Sequence, residues 1–189
     1  MNDILRVHDI IESSGIYGPG DRFVLWVQGC TLGCKGCWNK ETWDSKKGFN
    51  MRIDEIVSQV VNIEGIEGIT ILGGEPLQQS DAILNLMRKI RSQGLTIMLY
   101  TGFELDELNG SAKECCEIAD ILIAGRYIES LRDPYLRWRG SSNQILESPT
   151  GAYNLESIED FQELEIFISN ETGEIIVTGY PDEGNFDSS

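Results

Sequence analysis

No apolar run in the sequence approaches the roughly 20 residues that cross a bilayer as a helix, which excludes a helical span within it. Basic residues are scarce: 15 Lys and Arg face 31 Asp and Glu, for a formal net charge of −16. A surface of that sign cannot replace the counterions of a nucleic acid, and the acidity reads as solubility. The first residues, Met1-Asn2-Asp3-Ile4-Leu5-Arg6-Val7-His8, lack the basic stretch and 7–15-residue apolar core of a secretory signal, so none is expected. Histidine occurs once, as His8 in a strand-like stretch. Five cysteines, three of them clustered, do not make a disulfide framework, and the cytoplasm is the expected compartment.

What is present centres on Gly29-Cys30-Thr31-Leu32-Gly33-Cys34-Lys35-Gly36-Cys37-Trp38-Asn39. Three cysteines spaced C-x3-C-x2-C sit in a glycine-rich loop after Phe23 to Val27, a run apolar at every position as in a strand buried on both faces. Each iron of a cubane 4Fe–4S cluster takes one cysteine, so Cys30, Cys34 and Cys37 suit three irons and leave the fourth open. A zinc site completed by His8 or water is the competing reading. Structural zinc usually takes two short-spaced pairs of ligands, and there is no second pair here. Cys115 and Cys116 fall on the core face of an expected helix, where cysteine behaves as a small hydrophobe.

The rest of the chain alternates strand and helix. Residues 3–12 are expected as an edge strand, and the glycines and proline of 14–20 as a turn. Ile53, Ile56, Val57, Val60 and Val61 mark an amphipathic helix, with Asp54 and Glu55 in its first turn and a stop at Gly65. Ile69 to Leu72 is a second short strand, ending in Gly73-Gly74-Glu75-Pro76. A helix over 81–92 places Ile83, Leu84, Met87 and Ile90 on one face, with Ser80 as N-cap. Residues 95–100 form a third strand running into Thr101-Gly102. Ser111 to Glu114 has the capping-box pattern and opens a helix with Ala112, Cys115, Cys116 and Ala119 inward. Ile121 to Ala124 is a fourth strand, followed by Gly125-Arg126-Tyr127.

Strand and helix alternating at about 25-residue spacing predict βαβ units and a parallel sheet. The fold class expected is α/β, a partial (β/α) barrel with parallel strands, spanning residues 1–146. Residues 147–189 are expected as an extension: a linker with a short helix over 148–162, a β-hairpin of 164–169 and 174–178 around 170–173, and a disordered end. The cysteine loop and the turns at Gly73, Thr101 and Gly125 then fall beyond the carboxyl ends of consecutive parallel strands. That is where α/β folds build their sites.

The C-x3-C-x2-C motif with an aromatic after it, and Gly-Gly-Glu-Pro after the next strand, resembles the radical S-adenosylmethionine superfamily. The likeness sharpens at Gly18-Pro19-Gly20-Asp21-Arg22, Cys37-Trp38-Asn39-Lys40-Glu41-Thr42-Trp43, Tyr100-Thr101-Gly102-Phe103 with Leu105-Asp106-Glu107-Leu108, and Leu131-Arg132-Asp133-Pro134 with Trp138-Arg139-Gly140-Ser141-Ser142-Asn143-Gln144. In that order, over about residues 15–146, these segments resemble the activators of anaerobic ribonucleoside-triphosphate reductase, a family of glycyl radical enzyme activases.

The resemblance implies one 4Fe–4S cluster on Cys30, Cys34 and Cys37, with S-adenosylmethionine chelating the open iron. It implies Glu75 and the backbone of Gly73 and Gly74 at the methionine ammonium, and Gly36 and Trp38 near the cofactor, Trp38 against the adenine. Arg126 is placed at the ligand carboxylate or ribose, against the alternative of a solvated arginine; Thr101 either bonds the ligand or caps its own turn. Arg137, Arg139, Asn143 and Gln144 either grip a partner's glycine loop or the ligand, or form a polar network closing the sheet. The partners implied are a large glycyl radical enzyme of the anaerobic ribonucleotide reductase type and a flavodoxin- or ferredoxin-like electron donor. Two departures stand out: Ala124 occupies a position where these activators commonly carry Asp, and residues 147–189 lie beyond the compact core. They keep open the same radical chemistry on another protein, peptide or small molecule. A non-catalytic iron–sulfur or zinc module is the third reading, and Gly73-Gly74-Glu75 speaks against it.

Overall fold

The computed structural model describes residues 3–158, 164–168 and 175–179. Its main sheet has seven strands. Ile4–Ser14 (β1), Arg22–Val27 (β2), Phe49–Arg52 (β3), Gly68–Gly73 (β4), Thr96–Thr101 (β5), Ile121–Ala124 (β6) and Ile145–Glu147 (β7) lie in the order β3-β1-β2-β4-β5-β6-β7. The four apolar strands β2, β4, β5 and β6 run parallel, with Val27 opposite Gly73, Ile71 opposite Leu99 and Thr101 opposite Ala124. The flanking strands β1, β3 and β7 pair antiparallel.

Helices Ile53–Val61 (α1), Ser80–Ser92 (α2) and Gly110–Ile118 (α3) are the crossover connections. A parallel pair needs such a connection because its strands start at the same end of the sheet. Their apolar stripes bury Ile53, Ile56, Val60, Ile83, Leu86, Met87, Ile90, Cys115 and Cys116. These pack on the strand residues that share one face, among them Phe23, Leu25, Ile69, Ile71, Ile97, Leu99 and Leu122. Alternate residues point to the other face, where no helix lies among the described residues. There Val24 and Leu72 meet Ile16 and Tyr17 from the turn after β1, and Met98, Ile121 and Ile123 meet Trp138 with Tyr153, Leu155 and Ile158. One sheet face is thus covered by helices and the other by loops.

Several sequence expectations need correction. The first strand is not an edge, because β3 pairs along its outer side from Ile4–Arg52 to Val7–Phe49. Phe-Asn-Met-Arg is too short and mixed to carry a legible alternation. Ser80 is not an N-cap: a 3-10 turn, Pro76–Gln79, leads straight into α2, and Ser80 is its first residue. The capping box at Ser111 is absent, because α3 begins at Gly110 and both of its polar partners are taken by α2. Ser111 donates to Asp81, and Glu114 pairs with Arg88.

Residues 148–158 contain no helix, and the remainder of the expected stretch, 159–162, lies outside the described residues; Ser148 and Thr150 bond to Asp120 at 2.7 and 2.6 Å. The expected division at 146 therefore falls inside β7. Leu164–Ile168 (β8) and Ile175–Gly179 (β9) pair antiparallel as a separate two-stranded ladder. The expected connecting turn at 170–173, and the expected disordered end, lie outside the described residues. No helix among the described residues is long and apolar enough to cross a membrane.

Candidate active site

The cysteine loop leaves β2 and is pinned at its base. Gly29 and Cys30 donate their backbone N–H to Thr42 and Trp43 carbonyls at 2.7 and 3.1 Å. Gln28, buried, donates to the carbonyls of Glu41 and Asp44 at 3.0 and 2.9 Å and contacts His8 Nδ1 at 2.8 Å. His8 therefore braces the loop's root, as an ordinary strand residue does. Beyond this root the loop is open: Cys30, Cys34 and Cys37 are each half-buried and free. Burial pushes the Cys30 thiol up, so taking a metal there releases a proton that the thiol holds firmly.

All three cysteines line a cleft of about 190 Å³, open to solvent, at the carboxyl ends of β2, β4, β5 and β6. Glu75, Gly73, Gly74, Trp38, Thr101, Gly125 and Gln144 line the same cleft. The structure thus brings together most of the residues that the sequence singled out, from loops up to about a hundred residues apart.

Gly73 and Gly74 owe their identity to the neighbouring strand end. A Cβ on Gly73, whose φ is +111°, would stand 2.6 Å from Val27 N, and one on Gly74 would stand 2.3 Å from Gly29 O. Both contacts are impossible for a side chain, so only glycine lets the two loops lie this close. The backbone donors of the motif are used in the same joint: Gly74 N–H bonds Val27 O and Glu75 N–H bonds Gly29 O, each at 2.8 Å.

Glu75 is 1% exposed. Its Oε1 accepts from Leu77 N–H at 2.9 Å and from the Thr101 hydroxyl at 2.8 Å, and its Oε2 accepts from Gly102 N–H at 2.7 Å. Burial raises its pKa, and the bonds from Gly102, Leu77 and Thr101 pull it back toward the charged form. Thr101 also accepts from Phe103 N–H at 3.1 Å, so it bonds Glu75 and caps its own turn at once.

Trp38 is 46% exposed at the rim, with the Arg132 guanidinium 5.1 Å from its ring centroid. Lys35 pairs with Glu129 at 3.0 Å, tying the cysteine loop to the turn after β6. Gly36 faces that turn, where a Cβ would meet the Glu129 carboxylate, and it does not line the cleft. Arg126 does not line it either. Its guanidinium bonds the Gly102 carbonyl and the Glu107 carboxylate and lies 5.1 Å from the Phe103 ring centroid.

Of the polar group before β7, only Gln144 lines the cleft. Gln144 Oε1 accepts from Gly140 and Ser141 N–H at 2.8 and 3.1 Å, while its Nε2 donates to Gly125 O at 3.0 Å. Asn143 donates to Arg126 O, Arg139 to Gln144 O and Arg137 to Leu155 O. These four side chains bind the return loop onto the end of the sheet.

Sequence reasoning passed over three aromatic wall residues, Tyr100, Tyr127 and Trp138. The strand-end argument that found Thr101 applies equally to its neighbour Tyr100. Trp138 carries no comparable signal: it is buried at φ +55°, a left-handed conformation unusual for a bulky residue.

The donor set fits an iron–sulfur cubane. Among the described residues no three His, Cys, Asp or Glu side chains gather closely enough to share one metal ion. A cubane asks for something else, one thiolate at each of three separate irons, and three half-buried cysteines lining one wall of a cleft supply that.

Comparison with known proteins agrees. Residues 16–147 match the family described as a 4Fe-4S single cluster domain. The anaerobic ribonucleoside-triphosphate reductase-activating protein of Escherichia coli is 37% identical over 150 residues, 75% of this chain and 97% of the relative. The protein of the same name from Haemophilus influenzae is 34% identical over 142 residues, 69% of this chain and 90% of the relative. Among solved structures, QueE from Escherichia coli aligns over 52% of this chain and 53% of its own at 17% identity, with a TM-score of 0.45.

Proposed function

The chain belongs to the family of anaerobic ribonucleoside-triphosphate reductase-activating proteins, and on that premise we propose that it is a radical S-adenosylmethionine activase that installs a glycyl radical on a large anaerobic reductase. One observation carries the reading: Cys30, Cys34, Cys37 and the buried carboxylate of Glu75 share a single cleft. On this reading the three thiolates hold a 4Fe–4S cluster and Glu75 receives the ammonium of S-adenosylmethionine. Such a cluster, when bound, would supply the electron for reductive cleavage of S-adenosylmethionine, and with it the 5′-deoxyadenosyl radical chemistry that takes a hydrogen atom from a glycine.

The chain's own part is to bind, orient and exclude. Glu75 supplies an acceptor-only group, buried so that its attraction to an ammonium is stronger than in bulk water. Trp38 offers an aromatic face at the rim for the adenine. Tyr100, Tyr127 and Trp138 give the cleft aromatic walls. Arg126, engaged with Glu107, suits a role in holding the turns around the cleft better than direct contact. The radical core, of partial (β/α) barrel type, then includes β7 and the segment packed on the sheet as far as Ile158, with an extension after it. A flavodoxin- or ferredoxin-like donor in the cytoplasm would supply the electron.

A second reading keeps the chemistry and changes the substrate. It is favoured by Ala124, which is buried at the end of β6 where a carboxylate is common in these activators. One experiment separates the two. Reconstituted anaerobically with iron, sulfide, reductant and an anaerobic ribonucleotide reductase, the protein should generate the glycyl-radical EPR doublet on the reductase. Deoxyadenosine release without any doublet would sink the first reading in favour of the second.

A further inference from the structure

The hydrogen bonds behind Glu75 assign a job to Thr101 that it performs through the carboxylate. A carboxylate has about four acceptor positions. Both positions on Oε1 are filled, by Leu77 N–H at 2.9 Å and the Thr101 hydroxyl at 2.8 Å. Oε2 holds one bond, from Gly102 N–H at 2.7 Å, and keeps one position. The hydroxyl's direction is fixed as well. Phe103 N–H donates into Thr101 Oγ1 at 3.1 Å, so its single proton is committed to Glu75.

Glu75 is also a buried carboxylate with no direct ion pair, Arg126 acting on it only at a distance. It is 1% exposed and takes part in none of the ion pairs among the described residues. Buried charges are ordinarily paired. The cleft that Glu75 lines is where a cationic partner can enter.

We infer that Thr101 is a positioning residue that saturates Oε1 of Glu75 and so presents Oε2, by its remaining acceptor position, to the primary ammonium of an α-amino-acid ligand in the cleft. The inference rests on the proposed function and deepens it: Thr101 acts through Glu75, and its effect depends on the ligand's amino group alone. A simple turn cap would support any ligand equally. Valine matches threonine in shape and suits a strand, so Thr101→Val removes the hydroxyl with little change in packing. Thr101→Ser keeps the hydroxyl.

The test is equilibrium dialysis of the cluster-loaded, unreduced protein against S-adenosylmethionine and against its deamino analogue, with iron content and cluster absorbance as the loading control. Thr101→Val should weaken S-adenosylmethionine binding about tenfold, the effect of one hydrogen bond to a charged group. It should leave the deamino analogue within about twofold and iron content unchanged, and Thr101→Ser should restore binding. Under turnover the loss should fall on KM rather than kcat. Thr101→Ala carries the same expectation if the valine variant loads iron poorly. Equal losses for both ligands, or none for either, would overturn the inference while leaving the proposed function intact. Failure of the wild-type protein to bind S-adenosylmethionine would overturn the proposed function itself, and the inference with it.

Discussion

At the scale of single residues, the five cysteines divide by environment. Cys115 and Cys116 lie on the inner face of α3, and burial pushes both thiols up to about 12. An ordinary thiol, near 9, becomes increasingly nucleophilic thiolate as the pH rises from 7 to 9, whereas these two stay protonated and inert. Cys30, Cys34 and Cys37 are half-buried on the cleft. With the iron removed, brief alkylation at pH 8 should therefore label the loop cysteines, Cys30 more slowly because burial pushes its thiol up. Cys115 and Cys116 should react only after denaturation, as peptide mass spectrometry would report. Labelling of Cys115 in the native protein would contradict the packing of α3. This division was legible beforehand, because the C-x3-C-x2-C spacing and the helical stripe are local patterns. The partners of Glu75 were not, because Thr101 and Gly102 reach it only through the pairing of β4 with β5.

At the scale of elements, the strong periodicities fixed what could be read. β2, β4, β5 and β6 are near-continuous apolar runs and α2 carries a clear stripe, so each was expected close to its observed bounds, whereas α1, equally striped, ends at Val61, short of the expected stop at Gly65. β3 and β7, of four and three residues, have no pattern of their own and exist because a neighbouring strand offers hydrogen bonds. The segment after β7 shows the same dependence on its surroundings. It crosses the sheet face that lacks helices, and Tyr153 reaches the amino end of the strands, donating to Glu67 and contacting Thr96 Oγ1 at 3.0 Å. Beside it Arg22 is wholly buried, donating to Thr70 Oγ1 at 2.8 Å, Thr96 Oγ1 at 3.0 Å and Ile69 O at 2.8 Å. Those bonds pay for burying a guanidinium. Tyr153→Phe deletes the hydroxyl but leaves Glu67 and Thr96 partly accessible to water. It should cost about 1 kcal/mol, seen as a lower urea midpoint at unchanged slope. A change in slope would mean instead that the whole segment had detached.

At the scale of the molecule, the two ends of the parallel strands are built for opposite purposes. The amino end is closed by the Arg22, Thr96, Glu67 and Tyr153 network. The carboxyl end is left open, with half-buried thiols and an exposed tryptophan at the rim of the cleft. Iron binding at that end stabilises the folded chain by mass action, and the gain should spread only as far as the hydrogen bonds that link the loops. That path runs from Gly29 O to Glu75 N–H, and from the Glu75 carboxylate to Thr101 and Gly102. Removing the iron should therefore lower the melting temperature and speed amide hydrogen exchange in 29–38, 73–77 and 101–103. The amides of α1, packed beneath the other face of the sheet, should exchange at nearly the same rate in both forms, because their opening is governed by the buried cluster of Ile53, Ile56 and Val60. Uniform acceleration across all helices would mean that the cluster holds the entire core together. Acceleration confined to 29–38 would mean that Glu75 is not coupled to the cysteine loop, and the joint made by Gly73 and Gly74 would then need another explanation.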